Sequence, residues 1–285
     1  MTRYPAPAKL NLLLHVLGRR RDGYHDLQTV FRLIDRSDEV GIDVRTDGVI
    51  RRIDATPGID AGSDLCLRAA FALREAAAAR IGDAASSLGA DVALEKRLPI
   101  GGGLGGGSSD AATVMLVLNR GWGLNFTRAE LMALGLKLGA DVPFFLFGDS
   151  ALGEGVGERL ARLDLRPAWY LVLTPQVSVS TKEIFSSRAL TRDTKPLKIP
   201  PFLPGLGKND LQPVATALYP EVAAHLDWLS QHGDARMTGS GACVFAEFGT
   251  QAEARAVEAR LPGGMRGFVA RGLDRHPLRD WAADA

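Results

Sequence analysis

The sequence LPIGGGLGGGSSDAA occupies residues 98–112, and six of the seven residues in its central part, 101–107, are glycine. Glycine has no Cβ atom, so this backbone can turn sharply and bring its N–H groups close to a ligand. Ser108, Ser109 and Asp110 follow as candidate N-caps of a helix, whose first N–H groups have no partner within the helix. Free donors at the positive end of a helix dipole form an anion site. The stretch therefore predicts a phosphate-binding loop.

The loop does not match three well-known nucleotide motifs. A P-loop requires a lysine after its last glycine, and no lysine follows Gly107. Gly101, Gly103 and Gly106 satisfy the Gly-x-Gly-x-x-Gly spacing of a dinucleotide fold, but a run of glycines satisfies many spacings. The acidic residue expected about 20 residues further on is also missing. The VAIK, HRD and DFG motifs of protein kinases are absent as well.

An alternating run near the start of the chain carries two polar residues of interest. Apolar residues at every second position of 8–17 predict a half-buried strand, and Lys9 and Asn11 share its other face. From the pattern alone, a solvated face is the favoured interpretation of both side chains.

Two further segments contain candidate functional side chains. Tyr24 and His25 follow an arginine-rich turn, and such a pair can hold a nucleobase by stacking and edge contacts, although it is more often structural. Asp141 lies in GADVPFFLFG, between a helix-ending glycine and Pro143. A carboxylate there is either the cap of a short helix or a functional group whose pKa the apolar surroundings adjust. The sequence does not choose between these two.

The remaining periodicities predict an α+β chain of two domains, 1–160 and 161–285. In the first, strands are predicted at 26–34, 39–45 and 91–96 and helices at 65–80, 108–119 and 127–138. In the second, strands are predicted at 169–174, 242–248 and 266–270 and helices at 219–231 and 251–260, the order of a ferredoxin-like α/β sandwich. Residues 46–63 and the proline-rich 195–207 are predicted connections. Taken alone, MTGSGACVF at 237–245 is interpreted as a connector.

Composition argues against several classes of partner. The chain has 34 Lys and Arg against 33 Asp and Glu, so no bulk basicity indicates nucleic acid or a membrane surface. The interrupted apolar run at 10–17 has the features of neither a signal peptide nor a membrane span. Cys66 and Cys243 lie in apolar contexts without a CxxC motif, which favours reduced thiols in a cytoplasmic protein.

Taken together, the motifs resemble those of the GHMP kinase superfamily of small-molecule kinases. The resemblance rests on PAKLNLLLHVLGRRRDGYH (7–25), LPIGGGLGGGSSDAA, GADVPFF (139–145), VSTKEIF (179–185), NDLQP (209–213) and MTGSGACVF, which occur in the expected order. GRRRDGYH narrows the resemblance to the family whose substrate is 4-diphosphocytidyl-2-C-methyl-D-erythritol, a cytidine-linked alcohol of isoprenoid (terpenoid) biosynthesis. Its glycine loop, by contrast, is shared across the superfamily.

The resemblance implies an N-terminal ATP domain like ribosomal protein S5 domain 2, a ferredoxin-like C-terminal domain, and a cleft between them. It implies transfer of the γ-phosphate of ATP, with Mg²⁺, to the 2-hydroxyl of the alcohol by a monomer or homodimer, and it leaves the metal ligands unassigned. The catalytic pair falls on Lys9 and Asp141, and the substrate contacts fall on Asn11, Tyr24, His25 and Phe185. The ATP loop falls on Pro99, Ile100, Gly101, Gly102, Gly103, Leu104, Gly105, Gly106, Gly107, Ser108 and Ser109.

Two alternatives and two departures accompany this interpretation. A GHMP kinase for another small alcohol is disfavoured by GRRRDGYH, and a nucleotide-binding regulator without turnover is disfavoured by the presence of Lys9 and Asp141. Gln212 stands where the family usually has Glu, which leaves the role of NDLQP open. Asp64 stands where the family usually has Asn, which leaves a contact near the adenine side open.

Overall fold

The computed structural model describes residues 1–54, 62, 64–198 and 205–284. The predicted connections at 46–63 and 195–207 therefore lie partly outside the described residues. The strands are β1 (Thr2–Arg19), β2 (His25–Arg45), β3 (Ile50–Arg52), β4 (Gly89–Glu95), β5 (Ala151–Gly155), β6 (Arg159–Arg162), β7 (Trp169–Leu173), β8 (Ala235–Met237), β9 (Val244–Phe248) and β10 (Gly267–Leu273). The helices are α1 (Leu65–Ile81), α2 (Gly106–Gly121), α3 (Arg128–Leu136), α4 (Val142–Phe147), α5 (Thr181–Ser186), α6 (Gln212–Leu218), α7 (Pro220–Ser230) and α8 (Gln251–Glu258).

Strand β2 is the central strand of the sheet. β1 pairs with it antiparallel along one edge, and β5, β10 and β4 pair in turn along the other edge. The described strands follow the order β3-β4-β2-β10-β7-β9-β8, with β1 and β5 on β2 and β6 on β5. One hairpin, β1–β2, therefore connects the strands of both halves of the chain.

Strand β1 is longer and more deeply buried than the alternation predicts. It begins at Thr2, and every residue from Ala6 to Val16 is buried. Helix α2 packs on this strand, while Leu10 and Leu12 share a core with residues of β7 and β9. Because both faces of β1 are covered, the interpretation of Lys9 and Asn11 as a solvated face is wrong.

Two predicted boundaries also change. The strands predicted at 26–34 and 39–45 form one continuous strand, because β1 pairs through the interval at Ala6↔Asp38 and Pro7↔Ser37. Helix α2 begins at Gly106, and its N-cap is Gly105 in the left-handed conformation. Ser108 and Ser109 therefore lie in the first turn of the helix and do not cap it. The prediction for α3 is confirmed, since Thr127 and Glu130 form a capping box.

The second half of the chain forms the predicted ferredoxin-like sandwich. Its strands are antiparallel in the order β10-β7-β9-β8, and α7 and α8 pack on them. A core between this sheet and its helices contains Leu171, Leu226 and Val244. The last described residues return to the first half, where Leu278 and Ala282 join the core of α1 and α2. The division at 160/161 stays a prediction.

Candidate active site

The glycine loop connects β4 to α2 through left-handed backbone conformations. Gly101, Gly103 and Gly105 have φ values of 73°, 76° and 71°, a region that residues with a Cβ atom rarely adopt. Gly103 is the most tightly enclosed, because a Cβ atom there would lie 2.2 Å from the carbonyl oxygen of Thr238. Since α2 begins directly after Gly105, the unpaired N–H groups of its first turn continue the loop.

Two cavities adjoin at this loop. The first, which we call the loop cavity, has a volume of about 390 Å³ and is lined by residues 99–108 together with Asp64, Leu65, Cys66, Leu94, Lys96 and Asp110. The second, which we call the lysine cleft, has a volume of about 330 Å³, and its lining includes Lys9, Asn11, Asp141, Phe185, Gly239, Ser240 and Gly241. Gly101, Gly103, Gly105 and Ser108 line both cavities. The loop is thus the wall that the two cavities share.

Lys9 lies at the inner end of the lysine cleft, with its side chain 3% exposed. Its Nζ donates to the carbonyl oxygen of Gly103 at 2.9 Å and to Oδ1 of Asn11 at 2.5 Å, and it lies 3.5 Å from Oδ2 of Asp141. Asn11 is oriented in turn by a 2.8 Å hydrogen bond from its Nδ2 to Oγ1 of Thr29. The structure therefore brings the predicted catalytic pair together and places the predicted substrate residue Asn11 beside it.

Asp141 occupies the N-cap position of α4 without acting as a side-chain cap. Among the described residues, its carboxylate makes no capping hydrogen bond. Its side chain is 36% exposed, and it faces both Lys9 and the open cleft. Of the two interpretations that the sequence left open, the geometry supports the functional one.

A buried charged cluster beside the loop cavity was not recognised from the sequence. Nζ of Lys96 donates to the carboxylate of Asp38 and, at 3.0 Å, to that of Asp110. Oδ1 of Asp38 also accepts the backbone N–H groups of Arg97 and Leu98 at 2.6 and 2.8 Å, which anchors the start of the loop. The available signal in the sequence was Lys96, a charged residue at the end of the predicted strand 91–96.

The cluster shifts the pKa of two of its members. Burial raises the pKa of Asp110 to about 7, because Lys96 opposes this effect only partly and Asp38 adds a second negative charge. Burial by itself lowers the pKa of Lys96, but the two carboxylates outweigh it and raise that pKa overall. Lys96 therefore remains a cation beside the glycine loop, where its charge is balanced by the carboxylates of Asp38 and Asp110.

The turn at 237–241 packs directly on the glycine loop. Thr238 donates through Oγ1 to the carbonyl oxygen of Gly103 at 3.3 Å and accepts the N–H of Asn11 at 3.0 Å. The N–H of Cys243 donates to the carbonyl oxygen of Gly102 at 3.1 Å. Because Gly239, Ser240 and Gly241 also line the lysine cleft, the interpretation of this segment as a mere connector is wrong.

The predicted substrate residues do not all line one cavity. His25 is buried, and its ring lies 5.0 Å from that of Phe185, which lines the lysine cleft. Nε2 of His25 accepts a 3.1 Å hydrogen bond from Nε of Arg192, and burial followed by the charge of Arg192 lowers the pKa of His25. Tyr24 is 64% exposed and lines a separate cavity, which shares Ala140 and Val156 with the lysine cleft.

One predicted loop residue does not face either cavity. Ser109 is fully buried, and its Oγ donates to the carbonyl oxygen of Pro7 at 2.7 Å. It therefore ties α2 to β1, because the helix starts earlier than predicted and turns this side chain inward. The other predicted loop residues, from Pro99 to Ser108, all line the loop cavity.

The two departures from the family pattern have structural roles. Oδ1 of Asp64 accepts the N–H groups of Cys66 and Leu67, so this residue caps α1, and its Oδ2 lies 2.9 Å from Nη2 of Arg52. Oε1 of Gln212 accepts the N–H of Met237 at 2.9 Å. Asp64 lines the loop cavity but has both oxygens engaged.

Within the described residues, no group of three or more His, Cys, Asp and Glu side chains is arranged to hold a metal ion. The same part of the chain contains no helix of the length and hydropathy needed to cross a membrane. Cys66 and Cys243 are buried as free thiols.

Comparison with known proteins agrees with this geometry. Residues 64–149 match the model of the GHMP kinases N-terminal domain, and residues 201–266 match that of the GHMP kinases C-terminal domain. A solved structure of 4-(cytidine 5'-diphospho)-2C-methyl-D-erythritol kinase superposes with a TM-score of 0.80 at 33% identity, covering 95% of this chain and 99% of the other. A mevalonate kinase superposes with a TM-score of 0.64 at 14% identity, covering 96% of this chain and all of the other, and so shares the fold.

Relatives identified by sequence narrow the assignment from the GHMP kinases as a whole to one family among them. A 4-diphosphocytidyl-2-C-methyl-D-erythritol kinase of Nitrosospira multiformis is 57% identical over 98% of this chain and 93% of its own length. One of Thiobacillus denitrificans is 57% identical over 99% of both chains. The chain therefore belongs to the 4-diphosphocytidyl-2-C-methyl-D-erythritol kinase family of the GHMP kinases.

Proposed function

We propose that this protein transfers the γ-phosphate of ATP to the 2-hydroxyl of 4-diphosphocytidyl-2-C-methyl-D-erythritol, giving the 2-phosphate and ADP on the route to isopentenyl diphosphate. The observation that carries the proposal is the position of the Lys9–Asp141 pair at the glycine loop, where the loop cavity and the lysine cleft adjoin. A phosphate donor held by the loop and an alcohol held in the cleft would meet beside this pair.

The residues present account for the main requirements of phosphoryl transfer. The reaction needs positioning and neutralisation of charge more than covalent chemistry from the protein. Backbone N–H groups of the loop and of the first turn of α2 would bind the phosphates. Asp141 would accept or orient the proton of the hydroxyl, and Lys9, 3.5 Å from its Oδ2, would orient that carboxylate and offset the developing charge.

Substrate recognition is proposed on the open side of the cleft. Phe185 offers an aromatic face there, and the ring of His25 packs against it at a tilt of 33°, with its Nε2 held by Arg192. Tyr24, which is exposed on the adjoining cavity, is proposed as the second face for the cytosine ring. Asn11, next to Lys9, would contact the methylerythritol part.

Mg²⁺ is proposed as a partner of ATP. The chemistry of the donor set fits, because Ser108, which carries a hydroxyl oxygen, lines both cavities. Ser108 would share the ion with the phosphate oxygens, and the ion would neutralise phosphate charge. The cytoplasmic location, the domain division and the choice between monomer and homodimer stay predictions.

A coupled assay of ADP release tests the proposal. We expect turnover with the cytidyl substrate that requires ATP and is abolished when EDTA removes the divalent cation. Turnover with mevalonate or homoserine instead would favour a kinase for another alcohol. ATP binding without turnover on any of the three would favour a regulator.

A further inference from the structure

The NDLQP segment, residues 209–213, lies against the strand that carries Lys9. The N–H of Leu14 donates to the carbonyl oxygen of Lys208 at 2.9 Å, and the N–H of Asp210 donates back to that of Leu14 at 2.8 Å. Oδ2 of Asp210 accepts the N–H of Val16 at 2.8 Å. Asp210 and the preceding Lys208 therefore fix the segment to β1 through three hydrogen bonds.

From that position, Asn209 reaches across to the turn at 237–241. The residue is 3% exposed, and its Nδ2 donates to the carbonyl oxygens of Met237 and Gly239 at 2.7 and 2.8 Å. Its Oδ1 accepts the N–H of Leu211 at 2.9 Å. Gln212 adds a bond to the same turn, because its Oε1 accepts the N–H of Met237. The segment 209–213 thus forms hydrogen bonds with the backbone N–H and carbonyl groups of Met237 and with the carbonyl group of Gly239.

The turn held in this way forms part of the site. Thr238, between the two anchored residues, contacts Gly103 and Asn11 through its hydroxyl. A Cβ atom on Gly239 would lie 3.3 Å from Nζ of Lys9, so the backbone of the turn lies close beside the ammonium group. A shift of the turn would therefore change the shape of the cleft and the support of Gly103 together.

We infer that Asn209 is a positioning residue of the kinase: it fixes the turn at 237–241 against the glycine loop and Lys9, with Gln212 as its helper. The kinetic part of this inference rests on the proposed function. Asn209 acts through two N–H donors aimed at two carbonyl oxygens, a role that a carboxylate of the same shape cannot fill. Gln212 acts through an acceptor oxygen, which a carboxylate can supply equally well.

This difference sets the main experiment, Asn209→Asp with Asn119→Asp as its matched control. Asn119 is also buried, donates through Nδ2 to the carbonyl oxygen of Phe126 at 3.0 Å and accepts the N–H of that residue, at the far end of α2. Both substitutions leave an acidic oxygen against a carbonyl oxygen, so both are expected to lower the melting temperature. We expect kcat to fall at least about tenfold in N209D, because the cleft is displaced, and to stay within about twofold of wild type in N119D.

Hydrogen–deuterium exchange of the free protein provides a readout that does not depend on activity. In the turn, the N–H groups of Thr238 and Gly241 donate to the carbonyl oxygens of Cys243 and Thr238. We expect faster exchange in the peptide 237–243 of N209D and wild-type exchange there in N119D. If the wild-type protein shows no kinase turnover, the proposed function fails, but this comparison still tests the positioning role.

A second pair of variants covers the case in which N209D does not fold. Gln212→Glu keeps the acceptor for Met237, and Gln212→Leu removes it, so exchange at 237–243 should rise more in Q212L than in Q212E. The same order should hold for the loss of kcat. Equal exchange at 237–243 in N209D and N119D, or in Q212L and Q212E, would overturn the inference. Equal kcat within either pair would also overturn it when wild type shows turnover.

Discussion

Nζ of Lys9 lies 3.5 Å from Oδ2 of Asp141, although Lys9 is on the first strand and Asp141 is at the start of α4. The two side chains differ in exposure, at 3% for Lys9 and 36% for Asp141. The cation is thus enclosed and held by Gly103 and Asn11, whereas the carboxylate faces the cleft, where a hydroxyl group can reach it. This asymmetry suits a carboxylate that takes part in proton transfer and a lysine that orients it and offsets developing negative charge.

Asp141→Asn should lower kcat by about 10²- to 10⁴-fold, because the amide keeps the shape of the carboxylate but cannot accept the proton. The Kd of a non-hydrolysable ATP analogue should change little, since the loop cavity remains intact. The measurement is steady-state kinetics together with calorimetry. Asp164→Asn, whose side chain is 91% exposed, serves as the control. A kcat near that of the control would remove Asp141 from the mechanism.

Gly103→Ala should destabilise the protein by at least about 2 kcal/mol, because a Cβ atom there meets the carbonyl oxygen of Thr238 and the residue has a positive φ. Gly107, in the first turn of α2 directly after the loop, is the control. A Cβ atom on Gly107 lies at an ordinary 3.4 Å from Cδ1 of Leu65, so Gly107→Ala should stay within about 1 kcal/mol of wild type. Urea denaturation of both variants measures the difference, and equal losses would contradict this account.

His276 should make the folded protein sensitive to mild acid. Burial, followed by the charge of Arg128, lowers the pKa of His276 from 6.5 to about 3. The unfolded chain therefore binds a proton that the folded state excludes. The resulting stability is fully present above pH 6.5 and is lost as the pH falls from 6.5 towards 3. By pH 5 the loss from this residue is about 2 kcal/mol.

The variant His276→Asn tests whether stability falls with pH for this reason, because the amide can still accept the N–H of Leu278 but does not titrate. The free energy of unfolding would be measured at pH 7.5 and pH 5 in wild type and variant. The free energy of unfolding of wild type should exceed that of H276N by less at pH 5 than at pH 7.5. An advantage of the same size at both pH values would rule out His276 as the source.

Tyr24→Ala should raise KM for the cytidyl substrate by about tenfold, the loss expected for one stacked base. KM for ATP, measured in the same variant, is the internal control and should change less, because Tyr24 does not line the loop cavity that is proposed to hold ATP, whereas its own cavity adjoins the lysine cleft. A larger change for ATP than for the alcohol would show that the ring serves the other ligand.

Local patterns were sufficient to predict many of the elements. The helix at 65–80 and the cap at Thr127 depend on neighbours within a few residues, and the structure reproduces both closely. The join between the two predicted halves of β2 was missed, because it depends on pairing with β1 at Asp38 and Ser37, far away in the sequence. The start of α2 was missed by two residues, because Gly105 caps with its backbone and carries no side-chain signal.

The candidate site shows the same limit more sharply. The residues of the site were identified by their resemblance to the family. The burial of Lys9 could not be predicted in this way, because it results from the packing of α2 and of the second half of the chain on the two faces of β1. Thr238 and Gly103 are 135 residues apart, and no periodicity reports that they touch. The same holds for Asn209, whose partners in the turn lie 28 and 30 residues further on. Contacts of this range come from the packing of whole sheets.

The pairing of β2 with strands from both halves has a consequence for how the site works. Because β10 joins β2 at Gly272↔Ile34 and Leu273↔Leu33, a hinge that parted the halves would have to break main-chain hydrogen bonds of the sheet. The sheet therefore ties β1 and β2, which line one wall of the lysine cleft, to a strand of the second half before any substrate arrives. Lys9 meets every incoming substrate in the same place, so the entropy of ordering it does not enter the barrier of the reaction.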